Sequence, residues 1–260
     1  MTQPHRSSPA CGPTSRPATK TGKALARRIE AEIGAQGWPV GELLGTEPEL
    51  LARYGVSRPV LREAVRLLEQ HMVAETRRGA GGGLRVTAPD PSAVTETAAL
   101  YLDYLGVRVS QLYSARSVLE ARCLELSIER LTEDGVARLR AVVARLRCAD
   151  VVELVELNHE GESTIAELSG DPVLTLLVKV LLQLAHQHDP PIEQRKAKRR
   201  DTELQRDQQV AVAEAVIAGD SATARVRLLH HLDWAASYTR RHFLAVASDE
   251  PRLGSSSPLR

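Results

Sequence analysis

Residues 46–88, TEPELLARYGVSRPVLREAVRLLEQHMVAETRRGAGGGLRVTA, constrain the fold more than any other stretch of the chain. Glu47 to Tyr54 has helical character, with Thr46 placed as N-cap and Pro48 in the first turn, where a missing N–H costs little. Leu50 and Leu51 point inward. Gly55 follows, where the chain must turn sharply, and glycine takes the left-handed conformation without a Cβ clash. Ser57 is placed to cap a second helix and Pro59 to begin it. Val60, Leu61, Ala64, Val65, Leu67 and Leu68 give that helix an apolar face. Arg58, Arg62 and Arg66 recur every fourth residue and so share another face. Val73–Arg78 and Leu84–Thr87 are short β-prone runs around GAGGG, with Arg77 and Arg78 at the base of the turn. Helix, turn, helix and a glycine-tipped hairpin, in that order, make a winged helix-turn-helix.

Such a block points to duplex DNA. Arg58 and Arg62 lie in the N-terminal half of the second helix, the part that reaches base edges, and an arginine there can grip guanine O6 and N7 together. The glycine tip suits a wing lying close to a phosphate backbone. One arginine alone would be an ordinary solvated side chain; the ordered combination is what carries the argument. A nucleotide-phosphate loop is the competing reading of GAGGG. It lacks both the GKS or GKT ending and the strand-to-helix context that such loops need.

At 260 residues there is chain enough for one or two domains with a real core. The net charge of +1 hides an asymmetry, because residues 1–89 hold 13 Lys and Arg against 8 Asp and Glu, leaving the remainder at −4. A basic head on an acidic body fits contact with DNA through one end. Cys11, Cys123 and Cys148 have no metal-type spacing, which suits a reducing cytoplasm. No apolar run reaches membrane-spanning length. Residues 1–20, rich in Pro, Ser and Thr, read as a disordered tail rather than a signal peptide.

Residues 21–88 then form the DNA-binding domain, completed by an amphipathic helix at Lys23–Gln36. Pro89 and Pro91 mark a linker over 89–91. Residues 92–247 have helical period almost throughout, and 248–260 read as a second disordered tail. Helices are expected near Ser92–Tyr104, Ser110–Arg130, Thr132–Arg147, Val151–Ser169, Pro172–His186, Thr202–Ala218 and Ser221–Ala247. The fold class is mainly α: a winged helix-turn-helix with a small β-wing, then an all-α bundle. Aromatic residues are only 3% of the chain, so Leu, Val and Ala must build its core. The basic run Arg195, Lys196, Lys198, Arg199 and Arg200 reads as a solvated loop or helix start.

The segment LGTEPELLARYGVSRPVLREAVRLLE, followed by GAGGGLRVT, resembles the GntR family of bacterial transcription regulators. Gly55–Glu69 follows the family pattern GVSRxxVREALxxLE nearly residue for residue. The resemblance implies that Ser57, Arg58 and Arg62 contact DNA from the recognition helix, and that Arg78 and Gly79 contact the minor groove from the wing. Arg66, on the same helix face, joins them. Many members carry an arginine where this chain has Pro48, so one contact is lost or altered. The fragments YSARSVLEARCLELSIERLT, AELSGDPVL and VAVAEAVIAGDSATARVRLLHHL resemble the FCD domain, the helical effector-binding bundle of the FadR subfamily. That likeness covers about Ser92–Phe243.

Many FCD domains hold a divalent metal with one aspartate and three histidines. By position these fall on Asn158, Glu162, Gln209 and His231. The resemblance therefore implies either a metal such as Zn, Ni or Mn on Glu162 and His231, or a metal-free polar pocket in which Asn158, Gln209 and His231 hydrogen-bond a ligand. His159 and His230 are neighbours that a one-residue shift of register would bring into the set; the alternative is that they are exposed or capping side chains. Arg116, in the ARxxLE pattern, is implied to face the cavity and pair with a ligand carboxylate; an intrahelical pair with Glu120 is the alternative. The expected protein is a cytoplasmic, nucleoid-associated homodimer. It binds a pseudo-palindromic operator, acts as a repressor, and responds to a small carboxylate or acyl effector. An effector-independent architectural or corepressor-docking protein is the second reading. No nucleophile triad, HExxH or phosphate loop supports an enzyme.

Overall fold

The structure, a computed structural model, describes residues 21–79, 81–157, 159–187 and 199–243. The chain divides into two compact units, Met1–Asp90 and Pro91–Arg260.

The first unit runs α1 (Gly22–Ala35), β1 (Leu43–Gly45), α2 (Glu47–Tyr54), α3 (Arg58–Gln70), β2 (Ala74–Arg77) and β3 (Gly83–Val86). Thr21 caps α1 by accepting from the Ala24 N–H at 3.3 Å. The Glu49 carboxylate turns back to accept from the Thr46 N–H at 2.7 Å, which closes the first turn of α2. Gly55 ends that helix in the left-handed region, at φ 63°. Leu25, Ile29 and Ile33 of α1 meet Leu50, Leu61, Ala64 and Leu68, all nearly fully buried. The β-structure exceeds the sequence expectation: β1 adds a third strand, and the antiparallel order is β1-β3-β2. Leu43 pairs with Arg85 and Gly45 with Leu84, with a shift in register between them. Gly83 sits where β1 and β3 touch, at φ 147°, and a Cβ there would lie 2.7 Å from the Gly45 carbonyl oxygen.

Ser57 departs from its expected role. It occupies the N-cap position of α3 in extended conformation, yet its hydroxyl makes no capping hydrogen bond. Pro59 in the first turn, with its fixed φ and absent N–H, accounts for the helix start without one.

The second unit contains eight helices among the described residues: α4 (Ser92–Tyr104), α5 (Val109–Glu129), α6 (Glu133–Cys148), α7 (Val151–Glu156), α8 (Glu160–Leu168), α9 (Pro172–His186), α10 (Arg199–Ile217) and α11 (Ser221–Phe243). The long α5 packs against α8, α9 and α11. Leu112, Leu124, Leu139, Ile165, Leu184, Val216 and Leu228 are its shared core. Asp171 caps α9 by accepting from the Val173 and Leu174 N–H groups. The Thr95 hydroxyl ties α4 to α9 through Gln183, at 2.5 Å.

The expected single helix at Val151–Ser169 is two helices. His159 between them has φ 70°, in the left-handed region. Its ring is buried, 3.6 Å from a Glu162 oxygen and edge-on to His186 at 6.5 Å. Apolar periodicity runs on through Leu154, Leu157 and Ile165, so the break answers to packing that local spacing does not register. The last four residues of the helix expected to Ala247, and Arg195, Lys196 and Lys198 of the basic run, lie outside the described residues. Arg199 and Arg200 open α10 and are exposed.

Candidate nucleic-acid interface and buried polar cluster

In the first unit, Ser57, Arg58, Arg62 and Arg66 are exposed along α3, and Arg78 and Gly79 are exposed at the wing. The Arg62 side chain is 74% accessible and lies 3.8 Å from a Glu47 oxygen, a pair too open to water to hold it firmly. Glu63, the acidic residue next to Arg62, is turned away: its carboxylate accepts from the Gly22 N–H at 3.2 Å. Glu69 likewise accepts from the Thr76 N–H at 3.1 Å and fastens the end of α3 to the wing. Between α3 and the wing runs a groove of about 220 Å³, floored by Leu61, Val65 and Leu84 and bordered by Arg62 and Arg66.

The two remaining wing arginines have different duties. Arg77 is paired with Glu75 at 2.6 Å. Arg85, which sequence reasoning passed over, donates to the Gly41 and Gly81 carbonyls at 3.0 and 3.2 Å and braces the wing from behind. Its place in the strand run was the only signal available.

In the second unit, α5, α8 and α11 bring a set of charged side chains into the interior. Arg116 is fully buried and donates from Nε to Glu120 at 2.6 Å. Its Nη2 lies 3.7 Å from Glu162 Oε1, and its guanidinium stacks over Tyr113 at 4.9 Å. His231, 1% exposed, is hydrogen-bonded through Nε2 to Glu162 Oε1 at 3.1 Å. The intrahelical pair with Glu120 is thus present, and it forms inside the cluster that contains Glu162 and His231.

A residue that was not foreseen joins the set, and one expectation needs correction. The amide beside His231 belongs to Gln208, whose Oε1 is 3.2 Å from Nδ1. Gln209 is buried on the same helix, one residue on. His159 is neither exposed nor a side-chain cap but buried beside Glu162, whereas His230 is exposed. Asn158 lies outside the described residues.

Burial pushes the Glu162 carboxyl up, but the His159 imidazole beside it and the hydrogen bond from His231 outweigh it and hold the group well below the usual carboxylate range. Glu120 goes the other way: burial raises it, and the Arg116 guanidinium offsets only part of that rise. Burial lowers Arg116, yet the Glu120, Tyr113 and Glu162 groups around it leave its affinity for the proton raised. Arg116 is thus a fixed positive charge.

The donor set does not suit a transition metal. Glu162 and His231 are bonded to each other, and a guanidinium stands 3.7 Å from the carboxylate that would have to bind the ion. Among the described residues no group of three or more His, Cys, Asp and Glu is arranged to hold one. Glu120, Cys123, Leu124, Glu162, Ile165 and Leu228 enclose a cavity of about 10 Å³, room for about one water-sized atom.

Residues 21–83 match the model of the bacterial regulatory proteins of the gntR family, and residues 111–233 match that of the FCD domain. The chain belongs to the GntR family. Its relatives include the Uxu operon regulator of Haemophilus influenzae, 27% identical over 172 residues. That alignment covers 64% of this chain, which spans 59% of that relative's length. The HTH-type transcriptional repressor NanR of Cronobacter sakazakii is 23% identical, with 82% of this chain and 83% of the relative aligned. The solved structure of Streptococcus agalactiae GntR has the same fold, with a TM-score of 0.59 at 24% identity over 84% of this chain and 99% of that one. The GntR head thus presents an exposed arginine row beside a glycine wing, and the FCD body keeps a buried, charged cluster.

Proposed function

We propose that this GntR-family chain acts as a homodimeric transcription repressor. Two recognition helices and two wings meet the half-sites of a pseudo-palindromic operator, since a two-fold dimer matches two-fold DNA. The observation that carries this reading is the exposed row Arg58, Arg62 and Arg66 next to an exposed Arg78 and Gly79. The relatives named as an operon regulator and a repressor support it. So does the lack, among the described residues, of any helix long and apolar enough to cross a membrane, which agrees with work in the cytoplasm on the nucleoid. No enzymatic role enters the proposal, and neither does a metal.

The FCD body supplies the control. A small carboxylate-bearing effector at Arg116 and its neighbours binds one dimer arrangement better than the other. Operator affinity then falls by that difference. Effector-independent binding is the second reading, and one observation favours it: the cavity at the cluster is only about 10 Å³.

The test is selection of an operator from random duplexes with the full chain, then titration of wild type and Arg62→Ala. The substitution is expected to cost about 1–3 kcal/mol of specific binding and to relax discrimination at one base pair per half-site. Unchanged affinity and unchanged discrimination would remove α3 as the recognition helix.

A further inference from the structure

The atoms that lack partners in the buried cluster describe a ligand. Arg116 Nη1 and Nη2, Glu120 Oε2 and Glu162 Oε2 are all buried and make no hydrogen bond. The three side chains are 0%, 4% and 6% exposed. Buried charged groups are seldom left in this condition, because desolvation is costly unless a partner replaces the lost water. On Arg116, Glu120 and Glu162 the unmet groups are of two kinds: two donors on a cation, and one acceptor on each of two carboxylates.

We infer that the effector of this body is a compact zwitterion of the α-amino acid type, its carboxylate taken by Arg116 and its ammonium by Glu120 and Glu162. The inference rests on the proposed role of this cluster as the effector site and names the ligand class. A simple carboxylate fits less well. Arg116 already faces two carboxylates, Glu120 at 2.6 Å and Glu162 at 3.7 Å, so a third anion without a positive charge of its own meets net negative surroundings. A simple amine satisfies the two Oε2 atoms and leaves both Nη groups bare. An α-amino acid carries both complements on one carbon, and a guanidinium edge matches a carboxylate with two parallel bonds.

The walls add a size limit. The cavity between Glu120 and Glu162 takes about one non-hydrogen atom, which assigns it to the ammonium nitrogen.

The experiment uses the full chain. Its melting temperature is followed with glycine, L-alanine, L-serine and L-valine, with acetate, propionate, lactate and isovalerate as carboxylates lacking the amine, and with methylamine, ethylamine, ethanolamine and isobutylamine as amines lacking the carboxylate. Zn²⁺ and Mn²⁺ are run alone. The expected result is a saturable rise with at least one amino acid, at least tenfold tighter than either of its halves, and a tenfold or greater loss of that affinity in Glu120→Gln. Equal binding of a carboxylate or amine alone, a response to metal alone, no response to any compound, or undiminished affinity in a folded Glu120→Gln would each overturn the inference. Operator binding by wild type is measured alongside. If the operator is bound and no amino acid acts, the ligand class falls and the regulator stands; if an amino acid binds and no operator is found, the reverse holds.

Discussion

Arg116 sits at the centre of the FCD body with no exposed surface, and its charge is the counterweight to Glu120 and Glu162. Arg116→Ala leaves those carboxylates buried without their cation. We expect a loss of about 3–5 kcal/mol of stability, the range for breaking a buried ion pair from one side. Urea denaturation followed through Trp234 in the same unit reads it; a loss under 1 kcal/mol would mean that the carboxylates are neutral without Arg116. In the head, Tyr54 donates to Glu32 at 2.8 Å, between the Arg28 and Arg53 guanidiniums. Burial, and then the Glu32 carboxylate, push the tyrosine up to about 12. Since its folded value exceeds the unfolded value of about 10, its contribution is complete below pH 10 and is lost as pH rises through 12. Glu32 has the opposite sign. Burial raises it, but the Tyr54 and Arg28 donors outweigh that and hold it low, so its contribution is present above the unfolded carboxylate value and is lost in acid. Tyr54→Phe should cost about 0.5–1.5 kcal/mol at neutral pH. The difference from wild type should shrink between pH 10 and 12. A pH-independent difference would leave the hydroxyl without the assigned role.

At the scale of elements, the wing depends on strands that approach closely at a glycine. A Cβ on Gly83 would lie 2.7 Å from the Gly45 carbonyl and 2.8 Å from Leu43 Cδ1, in a backbone conformation that L side chains rarely take. Gly83→Ala should therefore separate β1 from β3 and destabilise the head by more than about 1 kcal/mol. The change is measurable by thermal unfolding, with Trp38 as the probe; an unaltered transition would mean that β1 contributes little. Helices α2, α4 and α9 were legible to the residue, because Thr46 with Pro48, Pro91, and Asp171 with Pro172 mark their starts locally. The third strand was not. Leu43–Gly45 is three residues long and offers no alternation to read, and its partner β3 lies on the far side of the helix-turn-helix. The break between α7 and α8 was hidden for a related reason: no proline marks it, and His159 adopts its left-handed conformation where it packs against Glu162 and His186.

For the whole molecule, charge separation sets the conditions under which DNA is bound. Residues 1–89 carry a net +5 and the remainder −4. Affinity should fall steeply with salt, by close to one logarithmic unit per tenfold change for each phosphate engaged. Arg78→Ala should reduce that slope by about one and weaken all sequences alike, whereas Arg62→Ala should act on particular bases. Fluorescence anisotropy at several salt concentrations separates the two, and an unchanged slope would remove Arg78 from the contacts of the wing with DNA.

The sequence by itself determined the head and the class of the body. Caps, turn glycines and fourfold arginine spacing act between residues a few positions apart, so they are written locally and could be read locally. It also named Arg116, Glu162 and His231. Tertiary structure alone decided what those residues do to one another. Glu162 and His231 are 69 residues apart, and only the packing of α8 and α11 against α5 brings them to 3.1 Å. That packing also drew in His159 and Gln208, because water is excluded there and each buried charge or dipole must take its partner from whichever element is adjacent.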